Sequence, residues 1–275
     1  MSYQTLLIEH EGPLSWITLN RPHRLNAMND QLLGELGAAL AELRDSGGPV
    51  LGIRGAGRAF SSGYDIENDS EEMTGAAERD ITEDHDRLEG NLKRFLEIWD
   101  HPKPVIAAVH GYCLAGATQL CMFTDITVVA EDAKIGLPSL PMGGGYITPL
   151  WTPFVGPKRA KQMSFVPSSR IDGRTAELWG WANYAVPADD LMDDVRALAE
   201  KIATIPSPIL RVKKMAINRV WDAMGFRNTV LMGAESDAML HASRPVRALS
   251  ALITEHGLKG AIAKYSAGDW DPDRG

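Results

Sequence analysis

Short β-branched or alanine-rich runs alternate with helical repeats from residue 4 to residue 130, and few architectures accept that alternation. Residues 4–9 and 14–19 flank Glu11-Gly12-Pro13, which predicts a hairpin. Asn29 or Asp30 can cap a helix in which Leu32, Leu33, Leu36, Leu40 and Leu43 recur at helical spacing. Val50 to Arg54 predicts a short buried strand closed by Gly55 and Gly57. A helix around 83–99, a strand over Val105 to Val109, a helix from Gly116 to about Phe123 and a strand over Asp125 to Ala130 extend the pattern. Such alternation predicts an α/β fold in which helices cover a parallel sheet. A stretch rich in Gly and Pro follows Gly136 to about residue 157. Helices are then expected at 157–165, 173–180, 188–204, 206–223 and 225–240. The pattern divides the chain into an α/β core, 1–205, and a C-terminal helical region, 206–275.

At 275 residues the chain is long enough to bury a large core without disulfide or metal staples. Its 28 basic and 36 acidic residues give a net charge of -8, which argues against a general nucleic-acid binder. The two cysteines, Cys113 and Cys121, form no disulfide framework and fit a reducing compartment. The start of the chain lacks the pattern of a signal peptide. The most apolar window, Val105 to Met122, is interrupted by His110, Gly111, Gly116 and Gln119, so no membrane span is expected. These features predict a cytoplasmic protein.

Several motifs lack an essential part. GAGRAF at 55–60 has no third glycine for a dinucleotide site, and MGGGY at 142–146 has no P-loop lysine. The histidines and cysteines never fall at metal-ligand spacing, so no metal is expected. No Gly-x-Ser-x-Gly elbow is present.

Two segments carry more information: RAFSSGYDI at 58–66 and AAVHGYCLAGATQLCMFTDI at 107–126. Each lies beyond a predicted parallel strand, where open α/β sheets place ligands. Gly63 lets the backbone approach a ligand beside the Tyr64 N–H. Gly116 opens a helix, where N–H groups lack intrahelical partners. Two such donors converging on one point would make an oxyanion hole. On spacing alone, two ordinary glycine turns explain the pattern equally well.

These segments resemble the signature stretches of the crotonase, or enoyl-CoA hydratase/isomerase, superfamily. ITLNRPHRLNAM (17–28), GIRGAGRAFSSGYDI (52–66), the stretch 104–130, GRTAELWGWANYAVP (173–187) and SPILRVKKMAIN (207–218) resemble its motifs in order and spacing. The resemblance implies a spiral of repeated ββα units and a C-terminal trimerisation region, giving a homotrimer or dimer of trimers. It implies an acyl-CoA thioester substrate and no resident cofactor, because coenzyme A arrives with the substrate. By matching position, the Tyr64 and Gly116 N–H groups would hold the thioester carbonyl. Ser62, Tyr64 and Ile66 would line the adenine end of coenzyme A, and Arg24 and Arg58 would meet its phosphates.

The sequence departs from the family where hydratases carry two glutamates. By register these positions hold Gln119 and Ser139. Glutamine cannot accept a proton at neutral pH, and serine is a poor base without an activating partner. Candidate replacement bases are Asp65, His85, His110 or an acidic residue of 67–86. Asp65, His110 and His85 also have ordinary readings as a cap, a core histidine and a surface histidine. Asp125 reads as structural. Tyr146 and Trp151, with Trp179, are candidates for walls of a pocket for a bulky cyclic or aromatic acyl group. The departures predict an acyl-CoA enzyme that stabilises a thioester enolate and is not a standard β-oxidation hydratase. The alternative is a non-catalytic acyl-CoA binder or scaffold.

Overall fold

The computed structural model describes residues 3–66 and 79–273. Strands β1 (Leu6–Glu11) and β2 (Leu14–Leu19) form the expected hairpin, with Leu6 opposite Leu19 and Glu11 opposite Leu14. Every β2 residue is buried, whereas β1 alternates toward solvent, as an edge strand does. Helix α1 (Asp30–Leu43) starts at Asn29, whose side chain accepts the Leu32 N–H, and buries the leucine stripe.

Three strand pairs then follow the same course. β3 (Val50–Gly55) leads to β4 (Ala59–Ser61), β5 (Val105–Val109) to β6 (Tyr112–Leu114), and β7 (Ile126–Ala130) to β8 (Lys134–Gly136). The first strand of each pair joins a large sheet and the second a small one. Adding β9 (Arg170–Ile171) and β10 (Tyr184–Val186) gives the orders β1-β2-β3-β5-β7-β10 and β4-β6-β8-β9. Apart from the hairpin, the large sheet is parallel. Helix α2 (Ile81–Trp99) follows β4 and opens with a capping box between Asp80 and Glu83. Helix α3 (Gly116–Cys121) follows β6. The result is the expected α/β spiral. Its small sheet was not foreseen, because strands of two or three residues are too short to show a period.

The later elements are α4 (Thr152–Val155), α5 (Pro157–Phe165), α6 (Gly173–Trp179), α7 (Leu191–Ala203), α8 (Ser207–Ala223), α9 (Phe226–His241) and α10 (Arg244–Ala267). The change from strands to helices near residue 206 is not a break in packing. Phe226, Val230, Ala234 and Ala238 belong to the same apolar core as the large sheet. Lys214, buried on α8, donates to the carbonyls of Ile98 and Lys103 at 3.1 and 3.2 Å and to the Asp125 carboxylate at 2.7 Å. Asp125 also accepts the Val105 N–H at 2.7 Å, so its role in the described residues is structural. Burial raises the Asp125 carboxyl and lowers the Lys214 ammonium.

The long α10 lies in the C-terminal helical region, where the sequence pattern places no individual helix beyond residue 240. It is kinked at Gly257, and it builds a second apolar cluster in which Leu249, Ile253 and Ala261 meet Leu140, Ile66 and Met142. Among the described residues no helix is long and apolar enough to cross a membrane, and no group of three His, Cys, Asp or Glu could hold a metal.

Candidate active site

The turn after β4 is assembled by the segment 21–28. Asn26, fully buried, donates to the Ala56 and Ala59 carbonyls at 2.8 Å and accepts the Arg21 N–H. Ser61 Oγ donates to the Asn26 carbonyl at 2.8 Å and accepts the Gly63 N–H at 3.1 Å. Met28 then pairs with this turn like a strand: its N–H donates to the Gly63 carbonyl, and the Asp65 N–H donates to the Met28 carbonyl. These two bonds run through the residues on either side of Tyr64.

The second turn, between β6 and α3, is held under strain. Ala115 adopts φ 49° and ψ −125°, a region L-residues rarely occupy, at a cost of about 1–3 kcal/mol. The turn is fixed from both sides. Ala115 N–H donates to the Gly136 carbonyl at 2.8 Å, and the Ala115 carbonyl accepts the Thr118 hydroxyl at 2.7 Å. The strained residue sets the direction of the next peptide, whose N–H belongs to Gly116 at the first position of α3.

The two turns touch at Gly63. Its φ is +94°, and a Cβ there would lie 2.7 Å from the Leu114 carbonyl oxygen and the Ala115 Cβ, and 2.9 Å from the Gly116 nitrogen. Only glycine meets both the backbone and the spacing requirement. The sequence-based pairing of the 58–66 and 107–126 segments is thus a direct backbone approach. The Tyr64 ring lies over Gly116, where a Cβ would come within 2.5 Å of it.

Gln119 is fully buried on α3 and bonded at both ends. Its Nε2 donates to the Tyr146 carbonyl at 2.8 Å, which turns Oε1 toward Tyr64, whose hydroxyl donates to it at 2.7 Å. The Tyr146 hydroxyl donates to the Leu88 carbonyl of α2 at 2.7 Å and lies 3.4 Å from the Tyr64 hydroxyl. Tyr64, Gln119 and Tyr146 therefore form one hydrogen-bonded group beside the two turns. Phe95 completes the aromatic side, its ring centroid 6.5 Å from that of Tyr64.

The segment that carries Tyr146 rests on α9. The amides of Gly144 and Gly145 donate to Oδ1 of Asp237 at 2.9 and 2.7 Å. Contact is close: a Cβ at Gly145 would lie 2.1 Å from that of Ser236. Burial raises the Asp237 carboxyl, while the amides of Gly144, Gly145 and Tyr146 oppose the shift. One turn further on, His241 Nδ1 lies 2.6 Å from Asp84 of α2, which also accepts from Arg87 at 2.6 Å. Burial works to raise the Asp84 carboxyl, but the bonds from His241 and Arg87 prevail and hold it at about 2. The long-range contacts had no local sequence signal, since Gly144 lies 93 residues from Asp237 and His241 lies 157 residues from Asp84.

The remaining candidates separate. Ser62 donates to the Leu25 carbonyl through its N–H, and its hydroxyl contacts the Arg24 carbonyl at 3.4 Å, so these two residues share one edge. Arg58 is exposed in the β3–β4 turn. Ile66 packs beneath α10. Ser139 is half-buried in the bend after β8, and no bond joins it to Gln119. Asp65 is buried and paired with Arg21 at 2.8 Å. His85 lies on the outer side of α2 against Asp86. His110 binds the Gly57 carbonyl and lines a different cavity, of about 580 Å³, with Arg54 and Asp132. The acidic residues of 67–78 lie outside the described residues. One expected pocket wall is corrected. Trp151 has no exposed surface and donates to Thr118, behind α3, because its indole fills the core beside Trp181. Trp179 lies on α6 beneath Arg159.

Comparisons with known proteins identify the family. The model of the enoyl-CoA hydratase/isomerase family matches residues 9–242. A Rhizobium meliloti protein named "probable enoyl-CoA hydratase" is 37% identical over 230 residues, which cover 80% of this chain and 83% of that one. The short-chain-enoyl-CoA hydratase of Clostridium acetobutylicum is 32% identical over 226 residues, covering 80% and 83%. The crystal structure of an enoyl-CoA hydratase/isomerase from Xanthobacter autotrophicus Py2 superimposes with a TM-score of 0.89 at 34% identity, covering 97% of this chain and 99% of that one. The chain belongs to the enoyl-CoA hydratase/isomerase family, within the crotonase superfamily.

Proposed function

We propose that this enzyme binds an acyl-CoA thioester and stabilises its enolate between the Tyr64 and Gly116 N–H groups. The observation that carries the reading is the direct approach of the Gly63 turn to the start of α3. Removing or adding a proton beside a thioester places negative charge on its carbonyl oxygen. Donors already fixed in place stabilise that charge without reorganising, each contributing about 3 kcal/mol. Arg24, Arg58, Ser62 and Ile66 are proposed to meet the coenzyme A portion, and Tyr146 to wall the acyl side.

Proton handling in this reading differs from two-carboxylate hydration. Gln119 receives the Tyr64 proton in a hydrogen bond but offers no basic site. Among the described residues, no hydrogen bond joins the Ser139 hydroxyl to a basic group. The closed Tyr64–Gln119–Tyr146 group also supports a second reading, a binder of acyl-CoA without turnover. The exposed Ile209, Val212, Ile217 and Val220 of α8 support a homotrimer or dimer of trimers. The buried, unbridged Cys113 and Cys121, 3.9 Å apart at sulfur, support a reducing compartment such as the cytoplasm.

The test uses purified protein with enoyl-, cyclic and aromatic acyl-CoAs, followed by mass spectrometry. Absorbance of a bound conjugated enoyl-CoA reports polarisation of its carbonyl. Product together with a red shift is the expected result. Binding with a red shift but no product across the panel selects the binder. Absence of a red shift on binding refutes the oxyanion hole.

A further inference from the structure

We infer that Asp237 is the positioning residue that sets Gln119 and Tyr64, acting through the backbone of Gly144–Tyr146. The inference deepens the proposed function and rests on it for its catalytic meaning. Asp237 does not reach the two oxyanion turns. Its Oδ1 instead accepts two successive amides, Gly144 and Gly145, at the point where the glycine run presses on α9. The next residue, Tyr146, presents its carbonyl to Gln119 Nε2. That bond alone decides which end of the Gln119 amide faces Tyr64, since the two ends are otherwise nearly the same shape. Tyr64 in turn is the residue whose main chain is proposed to hold the thioester. A carboxylate on the C-terminal helices thus fixes the side chain at the family's first glutamate position.

The glycine run has a physical explanation in the same contact. Side chains at 143 or 145 would strike Asp237 or Ser236, at 2.5 and 2.1 Å. The run is therefore fitted to α9, and Asp237 is what the freed amides meet. A buried carboxylate with two amide bonds is well satisfied. Removing it leaves both donors without that acceptor.

Three full-length proteins test the inference: wild type, Asp237→Ala and Asp237→Asn. Asparagine retains the Oδ1 acceptor. Hydrogen exchange is read in peptides covering 143–150 and 114–121, beside thermal melts, acetyl-CoA binding and the enoyl-CoA red shift. Asp237→Ala is expected to exchange about tenfold faster in both peptides, and Asp237→Asn within about twofold of wild type. A purely local structural role would speed exchange in 143–150 alone. With turnover, Asp237→Ala is expected to lose about tenfold in kcat with KM little changed, and Asp237→Asn to restore it. Acceleration confined to 143–150, or equal acceleration in the Asn and Ala proteins, overturns the inference. A wild-type protein that binds enoyl-CoA without a red shift refutes the oxyanion reading instead, while the exchange data still decide the role of Asp237. Should Asp237→Ala fail to fold, Asp237→Glu, whose longer side chain moves the carboxylate off the two amides, takes its place: acceleration in both peptides supports the inference, and acceleration confined to 143–150, or in neither, overturns it.

Discussion

Gly63→Ala tests the contact between the two turns most directly. The added methyl would sit 2.7 Å from the Leu114 carbonyl oxygen, 2.7 Å from the Ala115 Cβ and 2.9 Å from the Gly116 nitrogen. All three belong to or lie beside the strained turn, and a backbone φ of +94° disfavours alanine independently. Ordinary contact requires the turns to part by about 0.7 Å. A displacement near 1 Å in a catalytic constellation costs about 10²-fold, comparable to loss of one oxyanion donor. The overpacking itself costs about 1–3 kcal/mol. Scaled by about 2 cal/mol/K of unfolding entropy per residue, that lowers Tm by about 2–5 °C. The assay is kcat on the acyl-CoA turned over by wild type, with acetyl-CoA binding by calorimetry and a melt on the same sample. The expected result is a folded protein with about 10²-fold lower kcat and binding changed far less. A cooperative melt within that range, combined with kcat within about threefold of wild type, would refute the claim that the two turns act as one site.

Gln119→Glu is expected to raise hydration of a short enoyl-CoA about tenfold, because it restores a proton acceptor beside Tyr64. It also turns an oxygen toward the Tyr146 carbonyl where Nε2 now donates, so Tm should fall by about 2–5 °C for a cost of about 1–3 kcal/mol; an unchanged melt and unchanged hydration would contradict the assigned bonds. His101 is buried as the neutral imidazole: burial, and then the Lys214 charge, lowers it from 6.5 to about 4, while Nε2 donates to Leu40 and Nδ1 accepts from Lys103. The unfolded chain binds this proton below pH 6.5 and the folded chain only near 4, so stability is complete above 6.5 and falls between 6.5 and 4, by at most about 3 kcal/mol. Urea titrations over that range should show a shallower slope for His101→Gln, and equal slopes would contradict the neutral assignment.

Much of the large sheet was legible because its strands are five or six apolar, β-branched residues closed by turn residues. Leu32, Leu36, Leu40 and Leu43 likewise announced α1 by spacing, and Asn29 its start. The small sheet was illegible for the reason that makes it useful. Its strands are too short to carry a pattern, and they exist to bring glycine turns from consecutive spiral units together. Tyr64, Gly116 and Gln119 were recognisable as a set because the motifs lie in order along the chain. Their actual geometry was not, since it depends on the strained φ of Ala115 and on Tyr146 arriving from a distant segment. Trp151 shows the opposite error: an aromatic beside an altered glycine run invites a pocket reading, yet its indole N–H is spent on Thr118. The Asp237 contact and the Asp84–His241 pairing left no trace, since a distant glycine-rich segment supplies the partners of Asp237 and a distant helix supplies His241.

The small apolar cluster beneath α10 has a practical consequence for handling this enzyme. Ile66 lies two residues from the proposed thioester donor, and Leu258, Ile262 and Trp270 from the final stretch of chain pack into the cluster that contains it. An affinity tag, a fluorophore or a proteolytic nick near that end would disturb the floor on which the 63–66 turn stands. Attachment beside β1, the outermost strand of the large sheet, avoids that hazard.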